Sequence, residues 1–151
     1  MAFDAFLKLD GIPGESHDDK HKNEIDVISF SLGVTRQNER QRPRIKDFQI
    51  VKYIDAASPL LFDAACEGRV IEQALFSLRS AGGKGGAEFY KIYFENVVVT
   101  NIQPGGSTSG DAAPMEQLAL DFDSARIEYR PQNPDGSLGT AVVSSCSRTS
   151  R

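Results

Sequence analysis

Apolar and polar residues alternate with period two along most of this chain, which commits it to half-buried β-strands rather than helices. Phe3, Ala5, Leu7 and Leu9 alternate with Asp4, Lys8 and Asp10. From 25 to 34, Ile28, Phe30, Leu32 and Val34 share one face, and Ser29, Ser31 and Gly33 share the other. The apolar face is expected in the core. The small polar face is expected to be solvated or to line something wet. Further strands are predicted over 45–54, with Phe48 and Ile50 inward, over 70–80, with Ala74, Phe76 and Leu78 inward, and over 88–102. In the segment 115–130, Leu118, Leu120 and Phe122 alternate on one parity and Ala125, Ile127 and Tyr129 on the other, so a bulge or kink is predicted near Asp123-Ser124. A short last strand is expected over 140–143, with the tail from Ser144 fraying.

One segment has helical spacing instead. Ser58-Pro59 opens it as cap and first turn, Leu60, Leu61, Ala64 and Ala65 form its stripe, and Gly68 ends it. Many strands and one helix in 151 residues, with no repeat and no linker, give a single domain over 1–151. The expected fold is mainly β, a two-sheet β-barrel or sandwich with one flanking α-helix.

Charge and cysteines narrow the function. Seventeen basic against 21 acidic residues leave a formal net charge of −4, so no general attraction to nucleic acid exists. Two cysteines, Cys66 and Cys146, are too few for a disulfide scaffold. The start lacks a basic region followed by an apolar run, and no stretch approaches the ~20 apolar residues of a membrane span, so neither a cleaved signal nor membrane insertion is expected.

Candidate chemistry is sparse. His17-Asp18-Asp19-Lys20-His21 has the residue types of a metal site but none of the zinc spacings, and reads as a solvated loop. Gly82-Gly83-Lys84-Gly85-Gly86 is followed by a strand, so it reads as a hairpin connection rather than a phosphate loop. Asp121 and Asp123 share a strand side with no cleft pattern around them, and no histidine stands near a candidate nucleophile. No catalytic residue, metal or cofactor is expected. Arg36, Arg40, Arg42 and Arg44 form a basic patch, and Glu15, Asp18, Asp19 and Glu24 an acidic one. The pairing suggests self-association, the basic loop of one copy meeting the acidic loop of another.

These residues carry a resemblance. Ala5-Phe6-Leu7-Lys8-Leu9, Gly14-Glu15-Ser16 and the run from Glu24 to Ser31 resemble the opening of haemolysin-coregulated proteins, the tube subunits of type VI secretion systems. The likeness continues through Asp47-Phe48, Lys52-Tyr53-Ile54-Asp55, Ala57-Ser58-Pro59, Ala65-Cys66, Ala81-Gly82-Gly83 and Tyr129-Arg130-Pro131-Gln132. It implies a fold like that of phage tail tubes. It also implies homohexameric rings stacked inside a contractile sheath, a spike protein at the tip and small effector proteins in the lumen. Such a protein is made in the cytoplasm and secreted by contraction. Ser29 and Ser31 are then expected to face the lumen, and the basic and acidic loops to make ring or stacking contacts. The chain departs from the family in having Leu32 where tryptophan is usual, a charged 38–44 segment and a different ending. The alternatives are a tail-tube protein of a phage-like contractile particle and a monomeric ligand-binding β-barrel.

Overall fold

The computed structural model describes residues 2–80 and 86–148. The predicted glycine hairpin therefore lies, except for Gly86, outside the described residues. The chain forms β1 (Phe3–Leu9), β2 (Ile25–Asp26), β3 (Ser29–Ser31), β4 (Val34–Thr35), β5 (Arg44–Ile45), β6 (Phe48–Tyr53), α1 (Ala57–Glu67), β7 (Ile71–Ser80), β8 (Glu88–Gly105), β9 (Met115–Asp121), β10 (Ser124–Tyr129) and β11 (Val142–Ser147). All strand pairs are antiparallel.

The long strand β8 belongs to two sheets. Its first half pairs with β7 and β10, giving a first sheet in the order β2-β1-β7-β8-β10-β11. Its second half pairs with β9, giving a second sheet in the order β8-β9-β6-β3. The corner sits at Asn96, whose φ of 52° lies in the left-handed region that asparagine tolerates. Its side-chain amide donates to Asp123 across the corner at 3.1 Å. There β9 stops at Asp121 and β10 starts at Ser124, so the parity change in the sequence is a handover between sheets.

A second handover occurs at Val27 and Ile28. Val27 N–H donates to Ala5 in β1, and Ile28 N–H to Val51 in β6. Chain continuity joins β2 to β3 here, but the two strands do not pair, so the ladder is mainly β without closing into a barrel. The handover also corrects the expected core face. Ile28 is 40% exposed, while Phe30 and Leu32 pack half-buried against the core. Val34, 62% exposed, belongs to the separate β4–β5 hairpin.

Inward side chains of both sheets form one core. A line of aromatic contacts crosses it, with ring centroids 4.7 Å apart for Phe30–Phe76, 5.1 Å for Phe48–Phe76, 4.9 Å for Phe48–Phe94 and 4.8 Å for Phe94–Phe122. Helix α1 adds Ala57, Leu61 and Ala64 and packs against β8.

The helix starts one residue before the predicted cap. Ala56 occupies the cap position, and Ser58 is already in the first turn. Asp55 Oδ1 accepts from the Ala57 N–H at 3.0 Å, and Ser58 Oγ accepts from the Asp55 N–H at 2.9 Å. Gly68 ends the helix with a φ of 64°, as expected.

The tail expectation is also corrected. Ser144 to Ser147 do not fray; they are strand β11, paired with β10 from Ser124↔Ser147 to Tyr129↔Val142. Arg148 beyond them is buried.

Candidate functional site

The two sheets present different outward faces. On the second sheet, register aligns Ser29, Val51, Gln117 and Gln103 in one cross-strand row. It aligns Ser31, Gln49, Ala119 and Asn101 in the next. None of these eight side chains is charged. Ser29, Ser31, Gln49, Asn101, Gln103 and Gln117 are exposed, and most of this group lines a shallow depression. The predicted residues Ser29 and Ser31 thus sit together at the β3 edge of a wider uncharged surface. The amide side chains were missed at the sequence level. Their signal was parity: Gln49 alternates with Phe48 and Ile50.

Lys52 of β6 and Glu116 of β9 point inward instead, whereas Asp121, the last residue of β9, lies at the margin of the face. Lys52 and Glu116 are cross-strand partners, 0% and 2% exposed, and form a buried ion pair. Lys52 Nζ also donates to Tyr53 O at 2.9 Å and Asp55 Oδ1 at 2.8 Å. Ser58 Oγ donates to the same Glu116 oxygen that pairs with Lys52. A buried charge is tolerable only when paired and hydrogen-bonded. The pair also ties the helix N-terminus to both strands. The Ser58 hydroxyl is engaged by Glu116 and by the Asp55 N–H, so within this cluster it acts as a fastening of the helix start.

Arg148 guards one margin of the uncharged face. Its guanidinium pairs with Asp121 and with Asp47 (3.3 Å), donates to Ile45 O, and lies 4.4 Å from the Phe122 ring centroid. Asp47 in turn accepts from Thr100 Oγ1 at 2.7 Å. The two aspartates that border the face therefore share one guanidinium, which offsets part of their charge.

The first sheet faces outward with charge. Register sets Lys8, Leu75, Tyr93, Arg126 and Ser145 in one row, and Phe6, Ser77, Lys91, Glu128 and Val143 in the next. The Arg126 guanidinium stacks 4.2 Å from the Tyr93 centroid. The segment 13–24 folds over Phe6 as a strap. His21 stacks flat on Phe6 at 4.2 Å, 8° from parallel, with Nδ1 3.0 Å from Glu24 and Nε2 against Glu88. Burial raises the Glu88 carboxyl, but its hydrogen bond with His21 and the nearby positive charges outweigh this and leave its pKa below the ordinary range. Gly14 is required here, because a Cβ would lie 2.5 Å from the Glu24 carbonyl oxygen.

Most of the predicted acidic patch is occupied by the strap's own fastenings. Asp18 accepts two hydrogen bonds from Arg79, at 2.7 and 2.8 Å, which hold its pKa down to about 2. Glu15 accepts from the Ala56 N–H at 2.7 Å, at the start of α1. Glu24 faces His21, and Asp19 is exposed. Arg36, Arg40, Arg42 and Arg44 are all exposed, on or beside the β4–β5 hairpin. Cys66 and Cys146 are exposed free thiols. Among the described residues no three His, Cys, Asp or Glu side chains are placed to hold a metal ion, and no helix is long and apolar enough to cross a membrane.

Comparison with known proteins identifies the fold and the family together. Residues 6–129 match the family described as "Type VI secretion system effector, Hcp". The chain belongs to the Hcp family of type VI secretion proteins. It is 32% identical to Protein hcp1 of Pseudomonas aeruginosa over 144 residues, covering 90% of this chain and 88% of that protein. Hcp1 of Salmonella typhimurium has 36% identity and a TM-score of 0.86, with 99% of this chain and 97% of that one covered. A type VI secretion system effector of Yersinia pestis has 32% identity and a TM-score of 0.82, with 95% and 99% covered. Hcp proteins are secreted structural proteins, not enzymes, and take part in type VI secretion.

Proposed function

We propose that this Hcp chain is the repeating subunit of the inner tube of a type VI secretion machine. Six copies form a homohexameric ring, and rings stack inside a contractile sheath behind a spike protein. Small effectors travel in the lumen, against the face that carries Ser29 and Ser31. The chain is made in the cytoplasm and leaves by contraction, without a cleaved signal peptide.

The observation that carries this reading is the uncharged outward face of the second sheet, built in register across four strands. A surface that passes varied cargo gains from lacking fixed charges that would trap it. A ring also needs two different, complementary patches on each copy. Among the described residues, the second sheet ends on one side at β3, which pairs only with β6, and on the other at residues 98–105 of β8, which pair only with β9. The exposed Arg36, Arg40, Arg42 and Arg44 suit contacts between stacked rings, made more through charge than through apolar area.

Light scattering after size exclusion, with negative-stain imaging, tests this. The expected particle is annular with a central hole and a mass of about 99 kDa, six times the 16.5 kDa of one chain. A 16.5 kDa species persisting at high protein concentration and low salt, without annular particles, would overturn the reading.

A further inference from the structure

Between the buried residues Ile12 and Ile25, the strap carries no buried apolar side chain. Of residues 13–24, Ser16 and His21 alone are buried. The strap is therefore held down by polar fastenings: Glu15 on the Ala56 N–H, Asp18 on Arg79, and His21 between two carboxylates. A segment held this way opens more readily than one with an apolar anchor. His21 lies flat on Phe6 with Nδ1 3.0 Å from both oxygens of Glu24 and Nε2 against Glu88. A carboxylate only accepts, and a neutral imidazole has one N–H, so the imidazolium alone can serve both partners. Once the proton leaves, one ring nitrogen turns a lone pair on a carboxylate, in a place where His21 is only 6% exposed. The other charges around the ring are already engaged. Asp18 of the strap, whose backbone carbonyl accepts from the His21 N–H at 3.2 Å, holds Arg79 of β7. Arg79 lies 5.1 Å from the Phe6 centroid and also pairs with Asp4 of β1. Lys91 of β8 stands 3.4 Å from Glu88, and Lys20 and Lys22 are exposed. Ser77 lies beside Phe6 in the cross-strand row, 1% exposed, and its hydroxyl has no hydrogen-bond partner among the described residues. A buried hydroxyl without a partner favours any state that admits water.

We propose that His21 is a proton-operated latch on the strap: charged, it clamps the strap to the first sheet by bridging Glu24 and Glu88, and on losing its proton it lets the strap lift from Phe6. The latch belongs to the single chain and does not depend on the tube reading. The closed strap favours the charged ring, which the free chain does not. Its contribution to stability is therefore complete where histidine is charged in both states, and it is lost as pH rises through and above about 6.5, the ordinary value for histidine. Below about pH 4 the carboxylates take up protons instead, so the strap is tightest in mildly acidic solution. Glu15 and Asp18 keep their own bonds as pH rises, and β2 stays paired with β1, so the opening is local. Opening uncovers Phe6 and Ser77 beside Lys91, and so changes what the first sheet offers to a neighbour.

The test uses the full chain as purified. Amide hydrogen exchange, corrected for the intrinsic pH dependence of exchange, is read from about pH 5.5 to about pH 8.5. The expected result is that protection of residues 16–24 falls by about fivefold or more across the series, while 49–51 and 117–119 change by less than about twofold. His21→Gln keeps one donor but cannot serve two carboxylates, so its strap should be poorly protected throughout, with no step in pH. His17→Gln should keep the step of the parent, because His17 is exposed. Glu88→Gln should make the step smaller, because an amide can donate to the lone pair of the neutral ring. With 15N-labelled histidine, the ring nitrogens of His21 in the unmodified protein should both carry protons at about pH 5.5, a reading that needs no variant of His21. A neutral His21 ring at that pH overturns the proposal. So does a flat exchange profile in the parent, or a step that survives His21→Gln.

Discussion

The two sheets put the same ionic chemistry on opposite sides. In the first sheet Lys8, Lys91, Arg126 and Glu128 point outward, and the inward positions are apolar. In the second sheet two adjacent outward rows are uncharged, Lys52 of β6 and Glu116 of β9 are turned into the interior, and Asp121 at the end of β9 is left at the margin with Arg148. Placing charge outward costs almost nothing, because water solvates it. Burying it demands a matched partner and a full set of hydrogen bonds. Lys52 has Glu116, Asp55 and the Tyr53 carbonyl. A fold that turns these two charges inward on one sheet only leaves uncharged rows on its outer side, in keeping with the role proposed for the second sheet.

Breaking the buried pair should give the largest effect. Glu116→Ala leaves the Lys52 ammonium, 0% exposed, with Asp55 as its remaining carboxylate. An uncompensated buried charge costs about 3–5 kcal/mol, and the retained Asp55 contact puts the loss at about 3 kcal/mol in denaturant unfolding. Lys52→Met with Glu116→Leu should recover most of that loss. Equal stability of Glu116→Ala and the parent would mean that the inward charges do not matter to the second sheet.

Arg148→Ala attacks the margin of the neutral face. It strips the shared guanidinium from Asp47 and Asp121 and removes the contact with Ile45 that ties β11 to the hairpin side. The expected loss is about 2 kcal/mol, less than for Glu116 because both aspartates are about one-third exposed and water can reach them. Hydrogen exchange should show 142–148 opening first. Unchanged exchange there would mean that Arg148 does not hold the strand.

Residues 144–148 show where the sequence was mute. Val142 to Ser147 have small, uncharged side chains and are exposed throughout, so no apolar alternation marks β11. Its partner is the preceding strand, β10, but backbone pairing leaves no periodic trace in side-chain polarity. The inward faces of β6, β7 and β9 were legible because burial selects apolar residues at every second position. The parity change at 123–124 was legible for the same reason, though the sequence showed only that a break exists, not that one sheet ends there. Phe6 escaped the pattern because its cover comes from the strap and His21, not from the core. The uncharged face was half legible. Ser29 and Ser31 stood out within one strand, but the rows with Gln49, Gln117 and Asn101 exist only once register is known. Glu15 and Asp18 read as surface acids because nothing in the sequence places Arg79 and the start of α1 within their reach.

Acid should loosen the charged side before the neutral one. The Asp18 pKa is depressed by its Arg79 hydrogen bonds to about 2, from 3.8. A depressed carboxylate contributes stability that is complete above the unfolded value and is lost as pH falls toward the folded one. The strap fastening should therefore weaken between about pH 4 and pH 2. Amide exchange in 14–24 should rise in that window while 49–51 and 117–119 stay protected. Asp18→Asn should reproduce the loosening at neutral pH at about 1 kcal/mol, since Asp18 is partly solvated. Simultaneous opening of both regions would remove the distinction between the sheets.

The smallest effect on stability belongs to the basic hairpin. Arg36 and Arg40 are exposed, and replacing either by alanine should change unfolding free energy by less than about 0.5 kcal/mol. If stacking uses this hairpin, the same variants shorten tubes and flatten the dependence of tube length on salt, because fewer charge contacts remain to be screened. The uncharged face predicts the reverse for Gln49→Ala, with tube length and its salt dependence unchanged. Measuring both variants by electron microscopy at low and high salt separates a charged contact surface from a neutral one within the same molecule. A salt response that Gln49→Ala alters and Arg40→Ala does not would assign the two surfaces the other way round.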